Sequence, residues 1–589
     1  MSITEAGTTG HAAADAPPLH VRVLADRCAG CQECVVRCPT AALDLDVATW
    51  TVVADDTACV GCRQCERTCP FSAIVVDGPV SVGARVELTA LHIGDLAHNR
   101  SETRPGISSW SEALTEAARC LDCPDPTCVR GCPAHNDIPG FIRAIADGDL
   151  DEAHRVLRRT SVMPDICSRV CDQAVQCEGA CSWSLAGDSP VAIGALERFV
   201  CDNAPVPAVR AASPAGAGMP VASSPSEVTS PAGAGMRVAV VGAGPAGAAA
   251  AWELAAAGAE VTVLERDQHP GGLTRWGIPE FTLPDAIARR PWEALADAGV
   301  QVLTGQAIRP GDVERLAVDF DAVVLAAGAS TALRLPVPGA DLDGVWDATR
   351  FLTAAHHALE TVGAIAGLGV DGGERDTPPM VLVLGAGNTA MDVARSARRL
   401  GAAAVCVDWM DRRWAPVRPD ELAEAEAEGI EVRFSTTVRA LEGSSGRVTR
   451  ARLAATRQPS ASARPEVVPG PGSEMAVDLV VMAMGYRIAP EMAEAAGSTP
   501  IPKIAPGVAD RRWQASGIFA NPSPPFGRHQ PVGLLALGRE AARAAAGTAR
   551  RDRVWAAGDI LVGPSTVVEA MAQGKRAAQS VLASGVGSR

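Results

Sequence analysis

Lysine is nearly missing from this 589-residue chain: Lys503 and Lys575 stand alone against a large excess of arginine. That shortage argues against Schiff-base chemistry, which needs a reactive lysine amine. No uninterrupted apolar stretch is long enough to cross a bilayer, so no membrane span is expected. Met1 to Gly10 offer neither the basic region nor the apolar core of a secretory signal, and the expected compartment is the cytoplasm. The 10 histidines are scattered and form no cluster suggestive of a hydrolytic triad. A net charge of -15 argues against nucleic-acid binding. Residues 1–80 alone carry ten acidic against five basic side chains, which suits a basic docking partner better than DNA.

What is present is a length too great for one ordinary core, so two to four domains are expected. Hydrophobic residues at 47% and charged residues at 21% are close to a globular average. The 18 cysteines crowd the first third of the chain in tight C-x-x-C spacings, which fits reduced thiolates holding metal better than disulfides. Between residues 203 and 235 the composition turns Pro, Ala, Gly and Ser rich, and the heptapeptide Ser-Pro-Ala-Gly-Ala-Gly-Met occurs twice, ending at Met219 and Met236. This is a flexible linker. Beyond it, Val-rich strands alternate with Ala-rich helical stretches, an α/β pattern in which Cys406 is the one cysteine.

Cys28, Cys31, Cys34 and Cys38-Pro39 follow the run C-x-x-C-x-x-C-x-x-x-C-P, and Cys59, Cys62, Cys65 and Cys69-Pro70 repeat it. Three thiolates of each run can wrap one 4Fe-4S cubane while the fourth reaches across to the other. The expected sets are Cys28, Cys31, Cys34 and Cys69, and Cys59, Cys62, Cys65 and Cys38. A zinc ribbon would use paired cysteines rather than runs of four ending in proline. Residues 20–80 resemble the bacterial two-cluster ferredoxins, a small α+β fold with internal pseudo-symmetry, and the resemblance implies one-electron transfer at low potential.

A third run, Cys120, Cys123, Cys128 and Cys132-Pro133, is spaced differently and is followed by Cys167, Cys171, Cys177 and Cys181. Together with Asn136-Asp-Ile-Pro139 and Cys177-Glu-Gly-Ala-Cys181, this stretch resembles the helical iron-sulfur domain of the glutamate synthase small subunit and of dihydropyrimidine dehydrogenase. The resemblance implies Cys120, Cys123, Cys128 and Cys181 for one cluster, and Cys132, Cys171 and Cys177 for another. Its fourth ligand falls on Glu197, where dihydropyrimidine dehydrogenase has Gln, with Cys167 as the rival because thiolate is the commoner ligand.

Gly242-Ala-Gly244-Pro245-Ala246-Gly247 follows an apolar strand and opens an Ala-rich helix, with Glu265 ending the next strand. Such glycines let backbone approach a pyrophosphate at a helix N-terminus, while the carboxylate can accept from a ribose. The pattern recurs as Gly385-Ala-Gly387-Asn388-Thr389-Ala390, with Asp408 as far from Gly385 as Glu265 is from Gly242. Gly271-Gly272-Leu273-Thr-Arg-Trp-Gly-Ile-Pro-Glu-Phe281 and Ala556-Ala-Gly558-Asp559 again resemble the glutamate synthase small subunit. The resemblance implies FAD at the first loop, with Arg266, Gly328 and Thr566 added to the residues just named, and a helix starting near Ser565 aimed at the flavin. It implies NADPH at the second loop, through the pair Arg412-Arg413. Asp408 instead occupies the place where an acid favours NADH.

The expected architecture is multidomain, α+β and α/β. It comprises a disordered N-terminus (1–19), a two-cluster ferredoxin fold (20–85), a helical iron-sulfur domain (90–202) and the linker (203–235). Paired Rossmann-like domains follow, for FAD (236–370 and 490–585) and for NAD(P) (375–489). The expected cofactors are four 4Fe-4S clusters, FAD, and NADPH or NADH. The expected function is electron transfer among them to a redox protein partner, with cofactors rather than a catalytic side chain carrying the chemistry. Two rivals are the small subunit of glutamate synthase itself, which ordinarily lacks the fused ferredoxin, and an electron-wiring subunit that has lost cofactor binding. A thioredoxin-reductase-like enzyme would need a redox-active cysteine pair near the flavin, and Cys406 stands alone.

Overall fold

The computed structural model describes residues 19–80, 83–88, 99–204, 233–361, 377–489 and 553–585, with Leu96, Leu368 and Met492. The N-terminal stretch 1–19 and the linker 203–235 fall almost wholly outside the described residues.

The first unit is built twice over. Two antiparallel strand pairs, His20–Val23 with Ile74–Asp77 and Leu43–Asp46 with Thr51–Ala54, enclose the short helices Glu33–Val36 and Gln64–Thr68. Left-handed backbone recurs at a constant offset: Gly30 and Gly61, Gln32 and Arg63, Ala41 and Ser72. Non-glycine residues rarely adopt such φ values, so their paired recurrence marks two copies of one turn.

Seven helices follow between Trp110 and Asn203. Asp137 and Asp149 cap two of them by accepting from Gly140 N and Glu152 N, supplying donors' partners that a helix start otherwise lacks. The last helix, Ile193–Asn203, runs to the start of the linker and buries Leu196, Phe199 and Val200.

Two five-stranded parallel sheets make up the back half. The first has the order Val554–Ala556, Ala322–Leu325, Arg237–Val241, Glu260–Leu264, Gln301–Leu303. The second runs Val345–Asp347, Leu479–Met482, Met380–Leu384, Ala403–Val407, Glu431–Arg433. Central strands such as Ala322–Leu325 and Leu479–Met482 are buried at every position, as parallel strands covered on both faces require. The division of the chain differs from the expected 370 boundary: Val345–Asp347 pairs with Leu479–Met482 and so belongs to the second sheet. The helix Ala348–Thr361 packs with it against Asn388–Arg399. Pairing between strands more than 130 residues apart leaves no local sequence signal.

A buried charge network docks the second nucleotide unit on the rest. The fully buried Arg395 and Arg399 both bond Glu428, Arg395 donates to Thr103 Oγ1 at 2.7 Å, and Arg399 donates to Asn99 O at 2.9 Å. Both guanidinium groups lie over the ring of Phe281, at 4.6 and 3.8 Å from its centroid. Each charge is thereby paired in an interior where an unpaired one would be costly.

Candidate cluster and nucleotide sites

In the ferredoxin-like unit the two cysteine runs approach one another, with Cys69 beside Cys34 and Cys38 beside Cys65. Cys34 feels the charges of Cys69, Cys31 and Cys28, while Cys65 feels those of Cys62, Cys38 and Cys59. Burial pushes the Cys34 thiol up to about 11 and the Cys65 thiol up to about 12. Thiolates so placed need compensating cationic charge, which iron supplies. Backbone N–H groups already point at the sulfurs at matching positions: Ala42 N to Cys38 Sγ at 3.2 Å and Ala73 N to Cys69 Sγ at 3.3 Å. Such bonds favour the reduced, more negative cluster.

In the helical unit, Arg119 fixes the start of the third run. Its guanidinium donates to Glu116 Oε1 (2.6 Å), Pro190 O (2.9 Å) and Ser189 O (2.7 Å), and its own carbonyl accepts from Trp183 Nε1. Cys128 then feels Cys181, Cys120 and Cys123, a set of four. Close approach of the two cysteine-bearing stretches depends on glycine: a Cβ on Gly131 would meet Gln176 O at 2.7 Å and Ala180 Cβ at 2.6 Å.

The remaining donors number five. Cys171 is in hydrogen-bonding contact with Cys167 and feels Glu197 and Cys132, and Cys177 feels Cys132 and Glu197. Glu197 is buried, its Oε1 has no hydrogen-bond partner, and burial pushes its carboxyl well up from the ordinary range. A buried carboxylate oxygen without a donor fits a place beside a cationic ligand. The gathered thiols suit iron-sulfur clusters, and Cys132, Cys171 and Cys177 lie together with both Glu197 and Cys167.

The two dinucleotide loops are built alike. Gly242 N donates to Leu264 O and Gly385 N to Val407 O, both at 2.8 Å. A Cβ on Gly242 would strike Ala326 O at 2.5 Å, and one on Gly385 would strike Ala483 O at 2.4 Å, so both positions require glycine. A Cβ on Gly244 or Gly387 would meet nothing within 4 Å, which leaves open the approach a pyrophosphate needs. Helices Pro245–Ala256 and Asn388–Arg399 begin just behind them. Glu265 Oε2 accepts from Ala243 N at 2.6 Å and Asp408 Oδ2 from Ala386 N at 2.8 Å, so each acid is tied to its own loop.

Around the first loop the other expected residues gather. Gly272 packs against Gly244, a Cβ there lying 3.1 Å from Gly244 Cα, and Gly558 packs against Ala246. Arg266 is exposed beside Asp267, and Leu273 is exposed at the start of its short helix. Gly328 takes a left-handed φ of 70° just past the strand Ala322–Leu325, with nothing near its would-be Cβ. Asp559 accepts from Ser565 N and Oγ, and burial pushes its carboxyl up to about 6. The helix expected near Ser565 is Val567–Ala583, capped by Thr566, whose hydroxyl accepts from Glu569 N while Glu569 accepts from Thr566 N.

Around the second loop, Asn388 Oδ1 accepts from Arg418 N at 2.9 Å, and the Arg418 guanidinium reaches Asp172, the neighbour of Cys171, at 3.8 Å. Thr389 follows in the first turn of its helix. The pair Arg412-Arg413 is exposed and already engaged: Arg412 with both oxygens of Glu426, Arg413 with both oxygens of Asp411.

Sequence reasoning missed the contacts between sites. Gln176, beside Cys177, reaches Thr566, and Asp125, within the third cysteine run, pairs with Arg37 and accepts from Gln64 through its carbonyl. The one legible signal was adjacency to the cysteine motifs. Cys406 is buried within the strand Ala403–Val407 of the second sheet, where burial pushes its thiol up to about 12.

Three family models match the chain. The 4Fe-4S dicluster domain covers residues 27–73, the 4Fe-4S domain II of dihydropyrimidine dehydrogenase covers 97–207, and pyridine nucleotide-disulphide oxidoreductase covers 236–520. The glutamate synthase [NADPH] small chain of Halomonas elongata is 32% identical over 80% of this chain and 90% of its own length. That of Escherichia coli is 30% identical over 80% of this chain and 92% of its own length. The NADP(+)-dependent formate dehydrogenase subunit beta of Moorella thermoacetica is 32% identical over 77% of this chain and 59% of its own length. Among solved structures, FprA from Mycobacterium tuberculosis shares 21% identity over 59% of this chain and 84% of that one, with a TM-score of 0.42. Identity of 30–32% sustained across four-fifths of the chain makes it an oxidoreductase of the glutamate synthase small-chain family.

Proposed function

We propose that this oxidoreductase moves electrons between a nicotinamide nucleotide, one FAD and four 4Fe-4S clusters, and delivers them through its ferredoxin-like unit to a redox protein. When bound, the flavin accepts a hydride and the clusters pass single electrons, which is chemistry the protein itself does not supply.

The observation that carries the reading is the order of the donor sets. Thr566, at the cap of the C-terminal helix, touches Gln176 beside Cys177. Cys177 feels Cys128 of the neighbouring set, and Cys62 of the ferredoxin-like unit feels Cys123. Cys38 and Cys34, on one short stretch, then belong to the two outermost sets. Asp125 holds the join between units through Arg37 and Gln64. What the chain contributes is placement: the first loop for the FAD pyrophosphate, the second for the nicotinamide nucleotide, and thiols in contiguous sets, all but Cys31 buried or half-buried.

The names of several relatives support a protein partner, since they designate the small chain of glutamate synthase and the beta subunit of formate dehydrogenase. The reading is tested on anaerobically prepared protein. Added NADH or NADPH should bleach the flavin and reduce the clusters, and about sixteen iron and sixteen sulfide should be found per chain if four cubanes are present. Removing residues 1–85 should take away about half of that iron and leave flavin bleaching intact. Zinc without sulfide, or a flavin that neither nucleotide bleaches, would sink it.

A further inference from the structure

The two dinucleotide loops share more than a motif, and the shared part reaches the residue that meets the adenosine ribose. In the first, Glu265 follows Gly242 by 23 positions and grips the loop through Ala243 N, while its other oxygen accepts from Asp267 N at 2.9 Å. In the second, Asp408 follows Gly385 by the same 23 positions and grips the loop through Ala386 N, while its other oxygen accepts from Met410 N at 2.7 Å. FAD carries a free ribose 2'-hydroxyl, and an acid at this place accepts its proton in a hydrogen bond.

We infer that Asp408 selects NADH over NADPH at the second loop, because it reproduces there the carboxylate that a free 2'-hydroxyl requires and a 2'-phosphate does not tolerate. The inference rests on the assignment of that loop to the nicotinamide nucleotide.

Two further observations point the same way. The residues directly after Asp408 are Trp409 and Met410, neither of which can neutralise a phosphate. Their turn is held in place, with Thr456 Oγ1 donating to Trp409 O at 2.6 Å, Ser435 N to Met410 O at 2.8 Å and Asp411 N to Gln458 Oε1 at 3.1 Å. The nearest arginines in sequence, Arg412 and Arg413, each hold a carboxylate in two-point contact. A 2'-phosphate would have to break a bidentate ion pair to recruit either one.

The test is direct titration of anaerobic full-length protein with NADH and with NADPH, following binding and flavin bleaching separately. NADH should bind about tenfold or more tightly than NADPH, the range expected when one charge-assisted bond is exchanged for a repulsion. Asp408→Ser should weaken NADH by a similar factor, leave NADPH no weaker, and so collapse the ratio, with the change in KM rather than kcat. Should that variant fail to fold, competition on the unaltered protein serves instead, and 5'-AMP should displace NADH better than 2',5'-ADP does. Tighter binding of NADPH, better displacement by 2',5'-ADP, or binding of neither nucleotide overturns the inference. Preferential NADH binding without bleaching leaves it standing and sinks the electron-transfer reading instead.

Discussion

The side-chain amide of Gln176 donates to the hydroxyl of Thr566 at 3.5 Å, joining the residue before a cluster cysteine to the cap of the C-terminal helix. Thr566 has two duties, since its hydroxyl also accepts from Glu569 N. Thr566→Ala should lower stability by about 1 kcal/mol, the usual loss of a threonine cap, and Thr566→Ser should restore most of it. Thermal melts of the three proteins give the comparison. An unchanged midpoint in the alanine variant would remove the capping role.

Glu197 and Cys167 compete for one place beside Cys132, Cys171 and Cys177. The unpartnered Oε1 of Glu197 favours the carboxylate, and the contact of Cys167 with Cys171 favours the thiol. A carboxylate is a harder ligand than a thiolate and should set one cluster apart in potential and spectrum. Glu197→Ala should therefore destabilise or convert a single cluster, while Cys167→Ser keeps the full iron content. Iron analysis with electron paramagnetic resonance distinguishes them, and loss of a cluster only in the Cys167 variant would make both helical-unit sites all-cysteine.

Asp559 should leave a mark on the pH dependence of flavin-free protein. Burial raises its carboxyl from 3.8 to about 6, so between those values the folded state holds a proton that the unfolded state has released. Its contribution to stability accordingly declines as pH rises from about 4 to about 6, by on the order of 3 kcal/mol, and is level above that. Melts across this window should show a shallower decline in Asp559→Asn than in the parent. Parallel curves would mean that the carboxyl titrates normally.

How much could be read beforehand varied with the range of the interaction. The cysteine runs were legible because ligation fixes their spacing, and the structure sets Cys69 beside Cys34 and Cys38 beside Cys65. Gly242 and Gly385 were legible because each is crowded in the same way by the carbonyl of the residue just past a neighbouring strand. Glu197 was reachable only through resemblance, since a lone acid within a helix carries no pattern of its own. Arg395, Arg399 and Glu428 were invisible, because their partners Thr103, Asn99 and Phe281 come from distant parts of the chain. Arg412-Arg413 drew notice through resemblance, as a pair for a 2'-phosphate, and the fold supplies the carboxylates of Glu426 and Asp411 that already hold it.

The first parallel sheet takes its edge strand, Val554–Ala556, from near the end of the chain, and the helix Val567–Ala583 then packs on Pro245–Ala256 with Gly574 against Ala246 O. Ribosomal synthesis delivers these pieces after every other strand of the two parallel sheets. Both cysteine-rich units and all strands of the second sheet have emerged while the flavin fold still exposes one flank of Ala322–Leu325. Domains that fold as they emerge would thus be ready for iron before any flavin could be enclosed, and a nascent chain halted before Val554 would carry cluster sites beside an unfinished flavin pocket. Order of assembly is thereby set by how far downstream of the first loop its completing strand and helix lie.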